Sequence, residues 1–381
     1  MSVSNNHIIE EIKSSIDIVN IISEYVELKR TGKNYKGLCP FHQEKTPSFN
    51  VNPERQFFYC FGCGEGGDVF SFLMKIDNIT FQEALKILAR RSGITLPDYT
   101  DRERRIGEQR EKVFAINNFV AKYYNYILTN SKAGEKAVDY LDRRGFSAED
   151  IHKFKLGYAP QGWTTLLNFL KSRNYTTEEL LKAGLIVKGR NNKLYDRFRE
   201  RIIFPIFNIC GEVLAFGGRI INTTEKNIPK YLNSPETVIY RKGETLYGLN
   251  WACDVIRKTG EVIIMEGYTD ILTAHCHGLC NAVASLGTAL TYKQARLLKR
   301  YASMVYIAYD ADSAGEQATI RGLDVLKKSG LDVKVINLPG QMDPDDFIQR
   351  EGKDGFDTEK EKALTLMEFK LQKVIGDTDY S

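Results

Sequence analysis

Two constellations in this 381-residue chain are made of side chains that bind cations. The first is Cys39-Pro-Phe-His42 followed by Cys60-Phe-Gly-Cys63. In each pair two residues separate the ligands, a spacing that lets both ends of a tight turn reach one ion. Three thiolates and one imidazole complete a closed tetrahedral Zn²⁺ site with no open position for a substrate. The expected role is structural: one zinc per chain, on which a small surrounding domain depends to fold. Gly62, Gly66 and Gly67 suit the turn around the second pair.

The second constellation is acidic. Four apolar runs, Val262–Met265, Asn281–Ala284, Met304–Tyr309 and Val333–Leu338, alternate with segments of helical length. That alternation predicts a parallel sheet, in which ligands bind at the carboxyl ends of the strands. The runs lead into Glu266-Gly-Tyr-Thr-Asp270, Ser285-Leu-Gly-Thr-Ala289, Asp310-Ala-Asp312-Ser-Ala-Gly315 and Asp343-Pro-Asp345-Asp346. Glu266, Asp310, Asp312 and the group Asp343, Asp345 and Asp346 are therefore expected at one sheet edge. Carboxylates that close together ionise only with a cation among them. A small set of hard oxygen donors suits Mg²⁺ or Mn²⁺. Any one of these acids alone reads as the cap of the following helix; the group on three strand ends reads as a catalytic metal site.

Several elements must position these groups. Residues 8–28 have the apolar spacing of one amphipathic helix. Asn34–Cys39 and Ser48–Val51 read as strands around the thiol pairs, and Phe81–Ser92 as a helix ending at Gly93. Near the thiols lie Phe49, Phe57, Phe58, Tyr59 and Phe61, with Lys33, Lys36, Lys45 and Arg55. Exposed rings there would stack on unpaired bases, but most are expected to form the small core. Residues 98–112 are charged and mostly lack apolar spacing, and they read as a linker leading into a helix or equally as one solvated helix. Helical segments follow, with Arg143-Arg144-Gly145 ending one of them. Residues 188–242 then hold eleven basic residues against five acids. Arg197-Phe-Arg-Glu-Arg-Ile-Ile-Phe204 reads as a strand with one basic face, so Arg197, Arg199 and Arg201 are expected to face a groove for nucleic acid or nucleotide. Residues 351–380 read as a terminal helix.

Composition is that of a soluble globular protein, and no apolar run approaches a membrane span. With no export signal, the odd count of seven cysteines predicts a reducing cytosol. No Gly-x₄-Gly-Lys-Ser/Thr occurs, which argues against a helicase motor. His275-Cys276-His277 and Cys280 sit crowded on one short segment and read as core or surface residues.

Glu266-Gly-Tyr-Thr-Asp270 with Tyr309-Asp-Ala-Asp-Ser-Ala-Gly315 resembles the Toprim module of primases, topoisomerases and some nucleases. Together with Cys39-Pro-Phe-His-Gln-Glu-Lys-Thr-Pro-Ser-Phe49, Phe216-Gly-Gly-Arg219 and Lys230-Tyr-Leu-Asn-Ser-Pro-Glu-Thr237, the chain resembles bacterial DNA primases of the DnaG type over nearly its whole length. The resemblance implies a multidomain α+β and α/β fold. Its parts would be a zinc-ribbon domain (1–97), the charged linker (98–112), a basic mixed α+β subdomain (113–258), a Toprim catalytic module with a parallel sheet (259–345) and the start of a helical region (346–381). It implies a nucleotidyltransferase that makes RNA primers de novo on single-stranded DNA from ribonucleoside triphosphates, passing through an RNA primer/DNA hybrid. Glu266, Asp310 and Asp312 would hold catalytic Mg²⁺, with Asp270, Asp343 and Asp345 at the same site and Asp345 a second-metal candidate. Arg197, Arg199, Arg201, Arg219, Lys230 and Lys242 would line the template and nucleotide groove. A monomeric, cytoplasmic, replisome-associated protein without membrane contact is expected. The family's replicative helicase partner docks on a further domain, which is expected to be absent here. The alternatives are a Toprim DNA-cleaving enzyme and a non-catalytic zinc and Toprim DNA-binding protein. Initiation sequence, primer length and whether zinc domains act in cis stay open.

Overall fold

The computed structural model describes residues 3–371, apart from 78, 97–100, 190, 222–228, 287–289, 310–321, 323, 366 and 370. The chain divides into two compact units, Met1–Asp101 and Arg102–Ser381.

In the first unit five short strands form an antiparallel sheet in chain order: Lys29–Thr31, Asn34–Gly37, Phe49–Asn52, Phe57–Cys60 and Gly66–Gly67. Strand alternation sends Phe49, Val51, Phe58 and Cys60 to a buried face. There they meet Ile18, Ile22, Phe72, Leu73 and Leu88 from the flanking helices. The opposite face carries Phe57 and Tyr59, and Phe61 follows at 75% exposure. Of the five rings near the thiols only Phe49 and Phe58 are core, fewer than expected, because the flanking helices of this unit pack on the face that carries those two. The single helix expected over 8–28 is two, Val3–Ser15 and Ile18–Ser23. Asp17 separates them by accepting the Val19 N–H as an N-cap.

Of the two readings of the charged segment, linker or solvated helix, the structure takes the second, with a helix from Asp101 to Asn130. Charge alone does not oppose a helix when opposite signs sit four apart, as Arg104 and Glu108 do at 4.0 Å. A four-stranded antiparallel sheet has the order Tyr231–Asn233, Val213–Ile220, Arg201–Phe207, Gly157–Ala159. A separate hairpin pairs Ile186–Lys188 with Leu194–Asp196. The second large sheet has the order Ala282–Ala284, Glu261–Met265, Met304–Ile307, Asp332–Val335, Leu364–Thr365. Its first four strands are parallel, as the four apolar runs predict. The last is antiparallel. It lies where only a terminal helix was expected, because two residues are too few to show a period. The helix Pro344–Glu361 runs on from the Asp343 group and bends at Gly352, whose φ is +67°.

The strand Arg201–Phe207 differs from its expectation. All seven residues are buried, and Arg197 and Arg199 precede it. There is no basic face: Arg201 is 4% exposed and donates to the carbonyls of Gly218, Lys230 and Pro229. Alternating Arg and apolar residues here encode a buried cation inside a carbonyl cage rather than a solvated stripe.

The two sheets share one core, in which Phe204, Ile206 and Ala215 join Met265, Tyr268 and Ile271. Tyr268 stacks on Phe204 at 4.8 Å, meets Tyr247 edge-on at 4.7 Å and donates its hydroxyl to Asn233 Oδ1 at 2.7 Å. Gly217 leaves the space for that ring, since a Cβ there would collide with Tyr268 Cζ and Oη. Gly217→Ala is therefore expected to destabilise the second unit by about 1–3 kcal/mol, the usual range for overpacking. Urea unfolding of the two proteins measures it, and an unchanged midpoint would mean the ring shifts freely.

Candidate active site and metal centre

At the carboxyl end of the strand Glu261–Met265 the chain turns through Glu266-Gly267 into the helix Tyr268–Cys276. Asp270 occupies the third position of that helix and accepts the Gly267 N–H at 2.8 Å. Asp343 caps the helix Pro344–Glu361 by accepting the Asp346 N–H at 2.7 Å. Both acids thus do the capping work that the simpler reading allowed, and both also line the same cleft as Glu266. The cleft has a volume of about 400 Å³. Its acidic members are Glu266, Asp270, Asp343 and Asp345, and its basic members are Arg144, Arg219, Lys230 and Lys242. Asp310 and Asp312 lie outside the described residues. The strand before them, Met304–Ile307, runs parallel to Glu261–Met265, with Ile307 beside Ile264.

Asp345 is 2% exposed and bonded on both oxygens. Arg144 donates to Oδ2 at 2.8 Å, while Thr273 and Gln349 donate to Oδ1 at 2.7 and 2.6 Å. Arg219 donates to the Tyr231 hydroxyl at 3.0 Å. Burial holds the Lys242 ammonium below the usual lysine value.

Of the other expected groove residues, Arg197 is turned inward onto the Asn233 carbonyl. Arg201 is caged as described. Arg199 packs over Trp163 at 4.4 Å and Tyr195 at 5.1 Å, and Trp163 is well exposed. The cleft therefore gathers Arg219, Lys230 and Lys242, whereas Arg197, Arg199 and Arg201 are not among its lining residues. Arg144, Tyr231 and Asn233 line it unforeseen. Arg144 reads in sequence as a helix end, and nothing local marks its pairing with a residue 201 positions away.

In the first unit the four zinc-type ligands converge, with all donor atoms within 4.8 Å of one another. Cys39 Sγ lies 3.8 Å from Cys63 Sγ, and Cys60 Sγ lies 3.8 Å from His42 Nδ1. A tetrahedron with metal–sulfur bonds of about 2.3 Å has an edge of about 3.8 Å, so the donor set fits zinc. His42 Nε2 faces Glu44 Oε2 at 3.2 Å. That carboxylate selects the tautomer that leaves Nδ1 to the ion. Glu44 also accepts from Ser48 Oγ and from the N–H groups of Ser48 and Cys39. The Ser48 hydroxyl, with these N–H groups and His42, holds the Glu44 carboxyl below its ordinary range. Glu44 is a further residue missed in the sequence, although it stands two positions after His42. The cluster His275, Cys276, His277 and Cys280 forms no such group among the described residues. His275 is buried with Nε2 on the Ala282 carbonyl, and burial pushes its pKa down to about 4.

A zinc ribbon in one unit, and in the other a parallel sheet with carboxylates at its strand ends beside an antiparallel sheet that brings Arg219 and Lys230 to the same cleft, define a zinc-ribbon Toprim protein. Residues 4–104 match the CHC2 zinc finger, residues 123–253 the N-terminal domain of the DNA primase catalytic core, and residues 263–348 the Toprim-like family. The chain belongs to the DnaG-type family of bacterial DNA primases. It is 48% identical over 98% of its length to a DNA primase of Clostridium acetobutylicum, and 44% identical over 96% to one of Halalkalibacterium halodurans. It spans 61% of the length of each of these two relatives. It is also similar to the crystal structure of the zinc-binding and RNA polymerase domains of Aquifex aeolicus primase. That match has a TM-score of 0.61 at 38% identity, covering 93% of this chain and 85% of that one. A DnaG primase catalytic domain bound to single-stranded DNA matches with a TM-score of 0.64 at 35% identity, over 72% of this chain and 85% of that one.

Glu44→Gln is expected to weaken zinc roughly 10- to 100-fold, as loss of a ligand's carboxylate partner does. Gly62→Ala should do at least as much, because a Cβ there meets His42 Nε2 at 2.6 Å. Competition with a chromogenic chelator reads both; full retention of zinc by Glu44→Gln would remove Glu44 from this role.

Proposed function

We propose that this chain carries the priming activity of its family: template-directed synthesis of short RNA primers on single-stranded DNA from ribonucleoside triphosphates. One observation carries the reading. Glu266, Asp270 and Asp343 share a cleft with Arg144, Arg219, Lys230 and Lys242. Acids alone would suit a metal, and bases alone a backbone. Both together suit a reaction in which a metal-bound polyanion is cut and joined. The relative bound to single-stranded DNA supports a DNA template as the partner here.

In the proposed reaction a primer 3′-hydroxyl attacks the α-phosphate of the incoming nucleotide, and pyrophosphate leaves. Glu266, Asp310 and Asp312 are the residues proposed to hold the divalent metal, Mg²⁺ or Mn²⁺. Bound there, it would lower the hydroxyl pKa and offset the charge developing on phosphate oxygens. Arg219, Lys230 and Lys242 attract and orient the triphosphate. Burial works against the charge of Lys242, and an anion beside it would favour the charged form. Asp270 holds the turn after Glu266 and so fixes where that carboxylate stands. Arg199, beside exposed Trp163, is proposed to meet the template strand outside the cleft, an aromatic and a guanidinium being suited to an unpaired base and its phosphate. The zinc ribbon, with Phe57, Tyr59 and Phe61 exposed, is proposed to engage the template as a separate unit. The division at 97/98, 112/113, 258/259 and 345/346 belongs to the same proposal. So do monomeric state, cytoplasmic location and a replicative helicase as a partner. Among the described residues no helix is long and apolar enough to cross a membrane.

A priming assay with single-stranded DNA, labelled ribonucleotides and Mg²⁺ tests this. Short RNA products are expected, and Asp310→Ala should reduce them at least about 100-fold, the scale of losing a preorganised charge in an active site. Cutting of supercoiled DNA without nucleotides would favour the cleavage reading instead. Glu266→Gln separates two roles. Retained Mn²⁺ binding with lost transfer would make Glu266 a proton carrier; loss of both would leave it a metal ligand.

A further inference from the structure

We infer that Asp345, together with Thr273 and Gln349, positions Arg144 as a phosphate clamp and does not ligate the catalytic metal; the inference rests on the polymerase reading of the cleft. Both oxygens of Asp345 are already engaged by three donors in a site that is 2% exposed. A carboxylate offers about four lone-pair directions, so little of this one is left for an ion. Its partner Arg144 has a different setting. The guanidinium is partly exposed, lines the cleft and gives Asp345 a single N–H through Nη1. A bidentate pair would have used two, and the fork of a guanidinium matches phosphate as well as carboxylate.

Three elements converge on this latch. Thr273 lies on the helix Tyr268–Cys276, which starts with the acidic motif. Asp345 and Gln349 lie on the helix Pro344–Glu361, and Gln349 also donates to the Arg144 carbonyl at 3.4 Å. Arg144 follows the helix Glu135–Arg143 of the basic region. The same arginine belongs to a ladder of alternating cations and rings. Arg144 and Arg219 lie 6.0 and 5.2 Å from the Tyr140 ring. Arg219 and Lys230 lie 5.4 and 5.9 Å from the Tyr231 ring. The rings keep three like charges apart while attracting each of them. A row of separated cations is the complement of a chain of phosphates. Asp345 offsets part of the charge at one end and fixes its place.

The test uses Thr273→Val, which removes the hydroxyl at constant shape, Gln349→Ala at an exposed position, and Arg144→Ala. Thr273→Val is expected to raise the nucleotide KM in the priming assay roughly tenfold, the scale of a lost bond to a charged group, with kcat nearly unchanged. Thr273→Ser should restore it. In the Arg144→Ala background neither Thr273→Val nor Gln349→Ala should change KM further. Unchanged KM in both Thr273→Val and Gln349→Ala, or equal effects with and without Arg144, would overturn the inference. Calorimetric binding of inorganic tripolyphosphate with Mg²⁺ separates it from the wider reading. A wild-type chain that binds tripolyphosphate through Arg144 and Thr273 but makes no primers would keep the clamp and lose the polymerase.

Discussion

The placement of the acidic motif depends on one aromatic ring. Tyr268 follows Glu266-Gly267 and fills the space between the two sheets of the second unit, where only a glycine at position 217 makes room for it. Its hydroxyl is anchored on Asn233 and its face on Phe204. Both belong to the antiparallel sheet, so the strand end bearing Glu266 is brought against the strand that carries Tyr231 and Asn233. A motif read as acidic residues around a spacer is thus organised by the spacer. Edge and face contacts of a buried ring have defined geometry, which a pair of flexible charged side chains would not supply.

The basic region uses its charges in two ways. Arg201 donates to three carbonyls, and among the described residues no carboxylate pairs with it. A buried cation of this kind adds to the positive potential of the sheet on which Arg219 stands, while holding the Pro229–Lys230 backbone in place. Arg144 is the opposite case, since Asp345 offsets it directly. Burying Arg201 without its carbonyl partners would cost several kcal/mol, so the cage is a condition for having that cation inside the sheet.

Much of the fold was legible because its signals are local or periodic. Four apolar runs gave four parallel strands, and two Cys/His pairs of matched spacing gave a converged donor set. The candidate cleft was legible where strand ends dictate position, as for Glu266 and Asp343. It was misread where a residue's task is set by a distant partner. The arginines 197, 199 and 201 look equivalent in sequence, yet one grips a carbonyl, one stacks on Trp163 and one is caged. Arg144 shows nothing until Asp345 is beside it. Which of the rings near the thiols are core was not legible, because whether a sheet face is covered depends on where helices later pack.

The metal centre and the cleft follow one rule at different scales. In each, the group that touches the ion or the anion is aimed by a neighbour that touches neither. Glu44 sets the tautomer of His42; Asp345 takes one arm of Arg144. A carboxylate suits both positions because it accepts several donors at once and can link the functional side chain to the local backbone or to a second helix. Glu44 does the first through Ser48 and Cys39, and Asp345 the second through Thr273. An acid in such a place is therefore read from its number of donors: one already saturated by protein groups is orienting something, and one with capacity facing the cleft is there for the ion.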